Sequence, residues 1–168
     1  MKLKSFSDEQ ITEVKSLLYQ AFLNHPHGDP KRGPTEHKIV EKLVQDSANV
    51  ASMVAIDNNK IVGFITYSKV SFDNDMGEWV GLGPIAVLPE YQGRGVGKVL
   101  IKESMRIINE KYEGCVVMGE PSYYLKFGFK VVEGLFFEGV PQEFFLTTWK
   151  NKDIKPQGAV SYHSAFFT

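Results

Sequence analysis

The sequence predicts an α+β domain built around a mixed sheet, and three observations carry that reading. Segments with apolar residues at helical spacing flank a central run of strand-like segments. That run is broken by two turn signals, Asn58-Asn59 and "DNDMG" from Asp73 to Gly77, which fold it into an antiparallel meander. After the next helical segment comes "CVVMG", Cys115 to Gly119. This continuous apolar run reads as a strand buried on both faces, parallel to its neighbour across the helical crossover.

Leu3 to Phe6 suits a short strand, and Ser7 with Gln10 forms a capping-box pattern. Ile11, Val14, Leu17, Leu18 and Ala21 then recur at helical spacing, so a helix runs to about Phe22. "NHPHGDPKRGP", Asn24 to Pro34, is a loop on its prolines and glycines. Thr35 caps a second helix whose apolar side holds Ile39, Val40, Leu43 and Val44. "VASMVAID", "KIVGFITYSKVSF" and "EWVGLGPIAVL" are the three meander strands. Ile101, Met105, Ile108 and Tyr112 mark one face of a helix ending near Lys111. "PSYYLKF" is a short helix with Pro121 in its first turn and Gly128 past its end. "FKVV" from Phe129, "EFFLTTW" and "AVSYHSAFF" read as further strands.

Composition sets the bounds. A chain of 168 residues with 43% hydrophobic and 23% charged residues is expected to form one domain, residues 1–168, with a real core. A net charge of -1 supplies no bulk field for nucleic acid or an anionic membrane. The single cysteine, Cys115, excludes a disulfide framework and a cysteine metal cluster. The N-terminus turns polar within a few residues and no apolar run reaches membrane-spanning length, so a cytoplasmic protein is expected. Self-association as a homodimer is left open.

The chemistry concentrates in "GPIAVLPEYQGRGVGKVLI", Gly83 to Ile101, where three glycines separate a strand from a helix. A Walker A loop would need glycine at 92 and Ser or Thr at 99, which are Gln92 and Val99. A dinucleotide fingerprint starting at Gly93 would need glycine at position 98, which is Lys98. The general physics survives both failures: successive backbone N–H groups at a glycine turn and helix N-terminus converge on anionic oxygen. Arg94 and Lys98 add charge at the rim. Upstream, Pro84 lacks a donor for the ladder and Gly83 permits a bulge, so strand pairing is expected to part there.

Taken together, these motifs resemble the GNAT superfamily of N-acetyltransferases. The acyl-CoA loop pattern, Gln/Arg-x-x-Gly-x-Gly/Ala, is met by Gln92, Gly95 and Gly97; Val-x-Pro-x-Tyr by Val87, Pro89 and Tyr91; and Tyr-x-x-x-Gly-Phe by Tyr124, Gly128 and Phe129. The resemblance extends in element order from the first helix to about Val132. It implies a sheet splayed between its fourth and fifth strands, with the pantetheine arm pairing like an extra strand. It also implies acetyl-CoA as co-substrate and no metal. The cofactor would lie on Ile85, Ala86 and Val87 of the opened strand and on Gln92, Gly93, Arg94, Gly95, Val96, Gly97 and Lys98 of the turn. One departure is "GEPS", Gly119 to Ser122, where many members carry an asparagine that helps hold the CoA arm.

The reaction so implied moves an acetyl group directly to a primary amine, on a small molecule or a peptide or protein. The N–H of Ile85 or Val87 would hold the oxyanion. A thiolate of solution pKa about 8.5 can take its proton from a tyrosine of about 10, and the resemblance assigns that tyrosine as Tyr124. Tyr123, about 100° around the helix, is expected to pack or to line the acceptor side. Glu78 is the candidate base, with Asp75, Glu120 and His37 as rivals. Asp73, Asp75, Glu78 and Glu120 are expected to converge and favour a cationic acceptor, and Asn24 to Lys38 to shape its pocket. His25 and His27 lack the partners of a metal site, and Cys115 reads as packing, not a nucleophile. The competing class is a non-catalytic acyl-CoA sensor on the same fold, against which the retention of Tyr124 argues.

Overall fold

The computed structural model describes residues 1–24 and 33–167. Eight strands form one sheet in which β1 (Lys2–Ser5), β2 (Asn49–Asp57), β3 (Lys60–Phe72), β4 (Trp79–Val87), β5 (Gly114–Met118) and β7 (Phe145–Trp149) lie side by side in the order 1-2-3-4-5-7. Within that order every neighbouring pair is antiparallel except β4 with β5, which is parallel as the apolar run after the crossover helix requires. Short β6 (Leu135–Phe136) pairs with β8 (Gly158–Ser161), and β8 extends the sheet at the end of β3 through Ser71–Ser161 and Phe72–Val160. Asn58 and Asn59 turn β2 into β3 with φ of 49° and 61°, the left-handed pair that a two-residue hairpin needs.

Helix α1 (Ile11–Phe22) is entered through the expected box, the Ser7 N–H donating to Gln10 Oε1 at 2.9 Å. It packs against α2 (Glu36–Gln45) and onto β3 and β4. Helix α3 (Val96–Lys111) crosses β2, β3 and β4. It lies so close that a side chain on Gly63 would strike Val96 at 2.8 Å and Leu100 at 2.9 Å. Its one buried polar residue, Ser104, bonds the Tyr67 hydroxyl at 2.7 Å, so neither hydroxyl is stranded in the core. Helix α4 (Pro121–Tyr124) is a single turn that runs into a tighter one ending at Gly128, φ 89°. No helix among the described residues is long and apolar enough to cross a membrane.

The C-terminal third departs from the sequence reading. Phe129 to Val132 is not a strand: Lys130 alone bridges Thr147, while Phe129 turns into the core against Tyr124. The run before β7 begins as a 3-10 turn, Gln142–Phe144, and the last segment stops being a strand at Ser161 before a second such turn, Ser164–Phe167. Aromatics drive this arrangement. Phe137, Tyr162 and Phe166 gather with Trp79 and Phe145 into a second core beneath the tail, and that packing overrides a simple alternating pattern.

Candidate active site

The site begins where β4 changes partners. From Trp79 to Leu82 it pairs β3 on one side and β5 on the other, ending at Leu82–Val117. At Gly83-Pro84, a cis peptide, β4 takes three steps (Leu82 to Ile85) against two on β3 (Tyr67 to Ile65), which is a bulge. Beyond it β4 pairs β3 alone. The Leu88 N–H donates to Val62 O at 2.9 Å, so by antiparallel alternation Ala86 also turns its backbone groups toward β3. Ile85 and Val87 therefore present theirs to the open edge. The Val87 carbonyl is taken by Gln92 Nε2 at 3.0 Å, which ties strand to turn.

The three glycines do different work. Gly93 and Gly95 have φ of 76° and 86°, and a Cβ on either would meet nothing within 4 Å, so conformation is their requirement. Gly97 lies within α3, and a Cβ there would come 2.9 Å from the Tyr123 hydroxyl, so space is its requirement. The first N–H groups of α3 have no helical partner and open on the same turn. Val96 contributes only its backbone here, its side chain being buried under α3. Arg94 is exposed and lies over the Tyr91 ring at 5.3 Å, and Lys98 is exposed on the first turn.

A cleft of about 250 Å³ runs along this open edge, lined by Ile85, Ala86, Val87, Gln92 and Gly97, with Tyr123 on one wall and Ala21 and Phe22 on another. The sequence places Ala21 and Phe22 at the end of the first helix and gives them no part in the site. Their only signal is that they close the apolar stripe of α1 just before the proline-rich segment.

The two tyrosines part company. Tyr124 is 8% exposed and lies at the end of β5, its ring so close to Gly119 that a Cβ there would be 2.4 Å from Cε2. Burial, reinforced by Tyr123 and Cys115, pushes its phenol well above the usual tyrosine range. Tyr123 stands edge-on to it at 5.1 Å, half-buried, and lines the cleft beside the glycine turn, where Gly97 leaves room for its hydroxyl. Its phenol is also raised by burial. Burial pushes the Cys115 thiol up as well.

The acidic candidates do not gather. Glu78 is exposed, paired to Lys69 at 3.7 Å, and stands at the opposite end of β4, seven residues and roughly 20 Å from Ile85. Asp75 accepts from the Gly77 N–H at 3.2 Å in the same distal turn as Asp73. Glu120 caps α4 at the other end of β5, its carbonyl accepting from the Tyr123 and Tyr124 N–H groups. Sequence proximity to the opened strand does not say which end of it opens. His37, on α2 beside Tyr19 at 5.6 Å, is held below the usual histidine range by burial and by Lys38 and Lys15. His25 and His27 lie outside the described residues. Among the described residues no three His, Cys, Asp or Glu side chains are placed to hold a metal ion.

A mixed sheet that parts beside a glycine-turned helix N-terminus is the architecture of acyl-CoA-handling acyltransferases. Known proteins agree. Residues 48–131 match the acetyltransferase (GNAT) domain, and the chain belongs to that family. It is similar to the uncharacterized N-acetyltransferase YhbS of Escherichia coli K12, 33% identical over 98 residues, which are 57% of this chain and 59% of YhbS. The match thus spans about three-fifths of that relative. Among solved structures, a GNAT family acetyltransferase from Brucella melitensis in complex with acetyl-CoA superposes with a TM-score of 0.82 at 30% identity, covering 98% of this chain and 97% of its own. Escherichia coli YhbS in complex with CoA gives 0.87 at 25% identity, covering 99% and 92%.

Proposed function

We propose that the chain acts as one acetyltransferase domain that transfers an acetyl group from acetyl-CoA directly to a primary amine. The observation that carries this is the unpaired edge of β4 running straight into the glycine turn. The structurally similar proteins crystallised with acetyl-CoA and CoA support the choice of co-substrate.

In this reading the diphosphate is held by the N–H groups from Gly93 to Lys98, with Arg94 and Lys98 at the rim. The pantetheine amides pair with the N–H and carbonyl of Ile85 and the N–H of Val87 as an added strand, the Val87 carbonyl being held by Gln92. An N–H of the same edge faces the thioester oxygen and stabilises the negative charge that forms as the amine attacks. When the carbon–sulfur bond breaks, the electron pair goes to sulfur and Tyr124 supplies the proton; the attacking nitrogen gives up its own proton to solvent water, and solvent returns one to the Tyr124 phenolate. Burial keeps Tyr124 protonated until that charge appears. Direct transfer fits Cys115, whose thiol is buried in the main core and kept protonated. Glu78 stands too far away for the base role and Glu120 does not join it, so a carboxylate cluster is not part of the acceptor reading.

The test is thiol release from acetyl-CoA in the presence of a panel of small amines and lysine-bearing or N-terminal peptides. Amine-dependent release with an acetylated product is expected. Tight CoA binding with no release on any acceptor would replace this reading with that of a sensor.

A further inference from the structure

We infer that the Tyr123 hydroxyl is a ligand of the acyl-CoA diphosphate, and that Gly97 is glycine in order to seat it. This rests on the reading that the cleft holds acyl-CoA and adds to it a side chain from α4, an element the glycine-turn motif does not contain.

Four observations converge. Tyr123 is the α4 residue that lines the cleft, together with Ile85, Val87, Gln92 and Gly97. Its oxygen would stand 2.9 Å from a Cβ at position 97, which places it over the first turn of α3, where backbone N–H groups lack helical partners. Gly97 has no positive φ, so unlike Gly93 and Gly95 it is not required by backbone conformation, and the hydroxyl is the nearest atom a side chain there would meet. The ring is fixed by edge contacts to Tyr124 at 5.1 Å and Phe127 at 5.4 Å, and Lys126 Nζ lies 4.8 Å above it. The result is a phenol held rigidly, under a cation, beside a row of N–H donors. A phosphate oxygen bound by those donors would accept a further hydrogen bond from it. Burial raises the phenol's pKa, so it remains a donor across the neutral range.

The arrangement also gives α4 a stake in cofactor binding. Tyr123 and Tyr124 are adjacent on a single helical turn, so a ligand gripped by the first fixes the setting of the second.

Calorimetry with CoA, and with ADP as a ligand that carries the diphosphate without the pantetheine arm, tests the inference. Tyr123→Phe should weaken both by about ten- to a hundredfold, the effect of losing a hydrogen bond to a charged group. Gly97→Ala should weaken both similarly by pushing the ring aside. The double variant should lose little more than either single one, because Phe has no oxygen for the new methyl to meet. Undiminished CoA affinity in Tyr123→Phe would overturn the assignment, as would a loss for CoA with none for ADP, or full additivity. Gly95→Val separates this from the underlying reading. If that variant binds CoA normally, the cleft reading falls; if it fails while Tyr123→Phe binds normally, only the role of Tyr123 falls.

Discussion

Between Trp79 and Leu82, β4 has β3 on one side and β5 on the other, while from Ile85 to Val87 it has β3 alone as a strand partner, Ala86 facing it and Ile85 and Val87 facing the open edge. The first half is fully buried and the second is only partly so. Exposed edges are a hazard that proteins usually cover or charge. Here the edge has no strand partner from Ile85 to Val87, next to a turn that offers more unpaired N–H groups. The two halves show how one strand can be both scaffold and receptor: pairing holds it in place, and the interruption at Gly83-Pro84 frees Ile85 to Val87 to take a ligand.

The two halves should respond differently to mutation: changes around the open half should affect chemistry and binding, and changes in the closed half should affect stability. The largest effect is expected from Tyr124→Phe. It keeps the ring that packs on Gly119 and Phe129 but removes the proton, so turnover should fall by roughly a hundred- to ten-thousandfold with acetyl-CoA affinity nearly unchanged. Steady-state kinetics with matched calorimetry decides it, and full activity would remove Tyr124 from the mechanism. Next comes the closed half. A Cβ on Gly114 would lie 2.4 Å from the Trp79 ring, so Gly114→Ala should lower stability by about 1–3 kcal/mol in denaturant titration, while the folded fraction binds CoA as before. Weaker CoA binding at unchanged stability would erase the division. Gly95→Val places a β-branched residue at φ 86°, costing about 1–3 kcal/mol and misaiming the N–H groups, so CoA affinity should fall about tenfold or more. The smallest change is Gln92→Ala, which frees the Val87 carbonyl. One exposed hydrogen bond is worth about 0.5–1.5 kcal/mol, so calorimetry should show a loss of about two- to tenfold.

The parting of the strands was legible in the sequence because Gly83 and Pro84 each fail the ladder for a local reason, one by freedom and the other by a missing donor. The glycine turn was legible for the same kind of reason. Which end of β4 it serves was not, and Glu78 shows why: chain neighbours on an extended strand separate by roughly 3 Å per residue, so a residue at the strand's start is remote from its end. The division between Tyr123 and Tyr124 depends on how a single turn docks between α3 and β5, which local periodicity does not determine. Phe129 to Val132 reads as a strand by composition, yet Phe129 is drawn inward by the ring of Tyr124, and only Lys130 finds a strand partner.

The bond between Gln92 and the Val87 carbonyl has a consequence for length. It fastens the glycine turn to the last residue of the open edge, so that the anchor for phosphate and the rail for the arm belong to one rigid piece. A carrier held at both places is thereby measured. Its thioester comes to rest at a fixed count of bonds from its phosphates, and a carrier with a shorter or longer arm would present its acyl group short of the tyrosine or past it. The slot is a gauge as much as a grip, calibrated by a single side-chain amide.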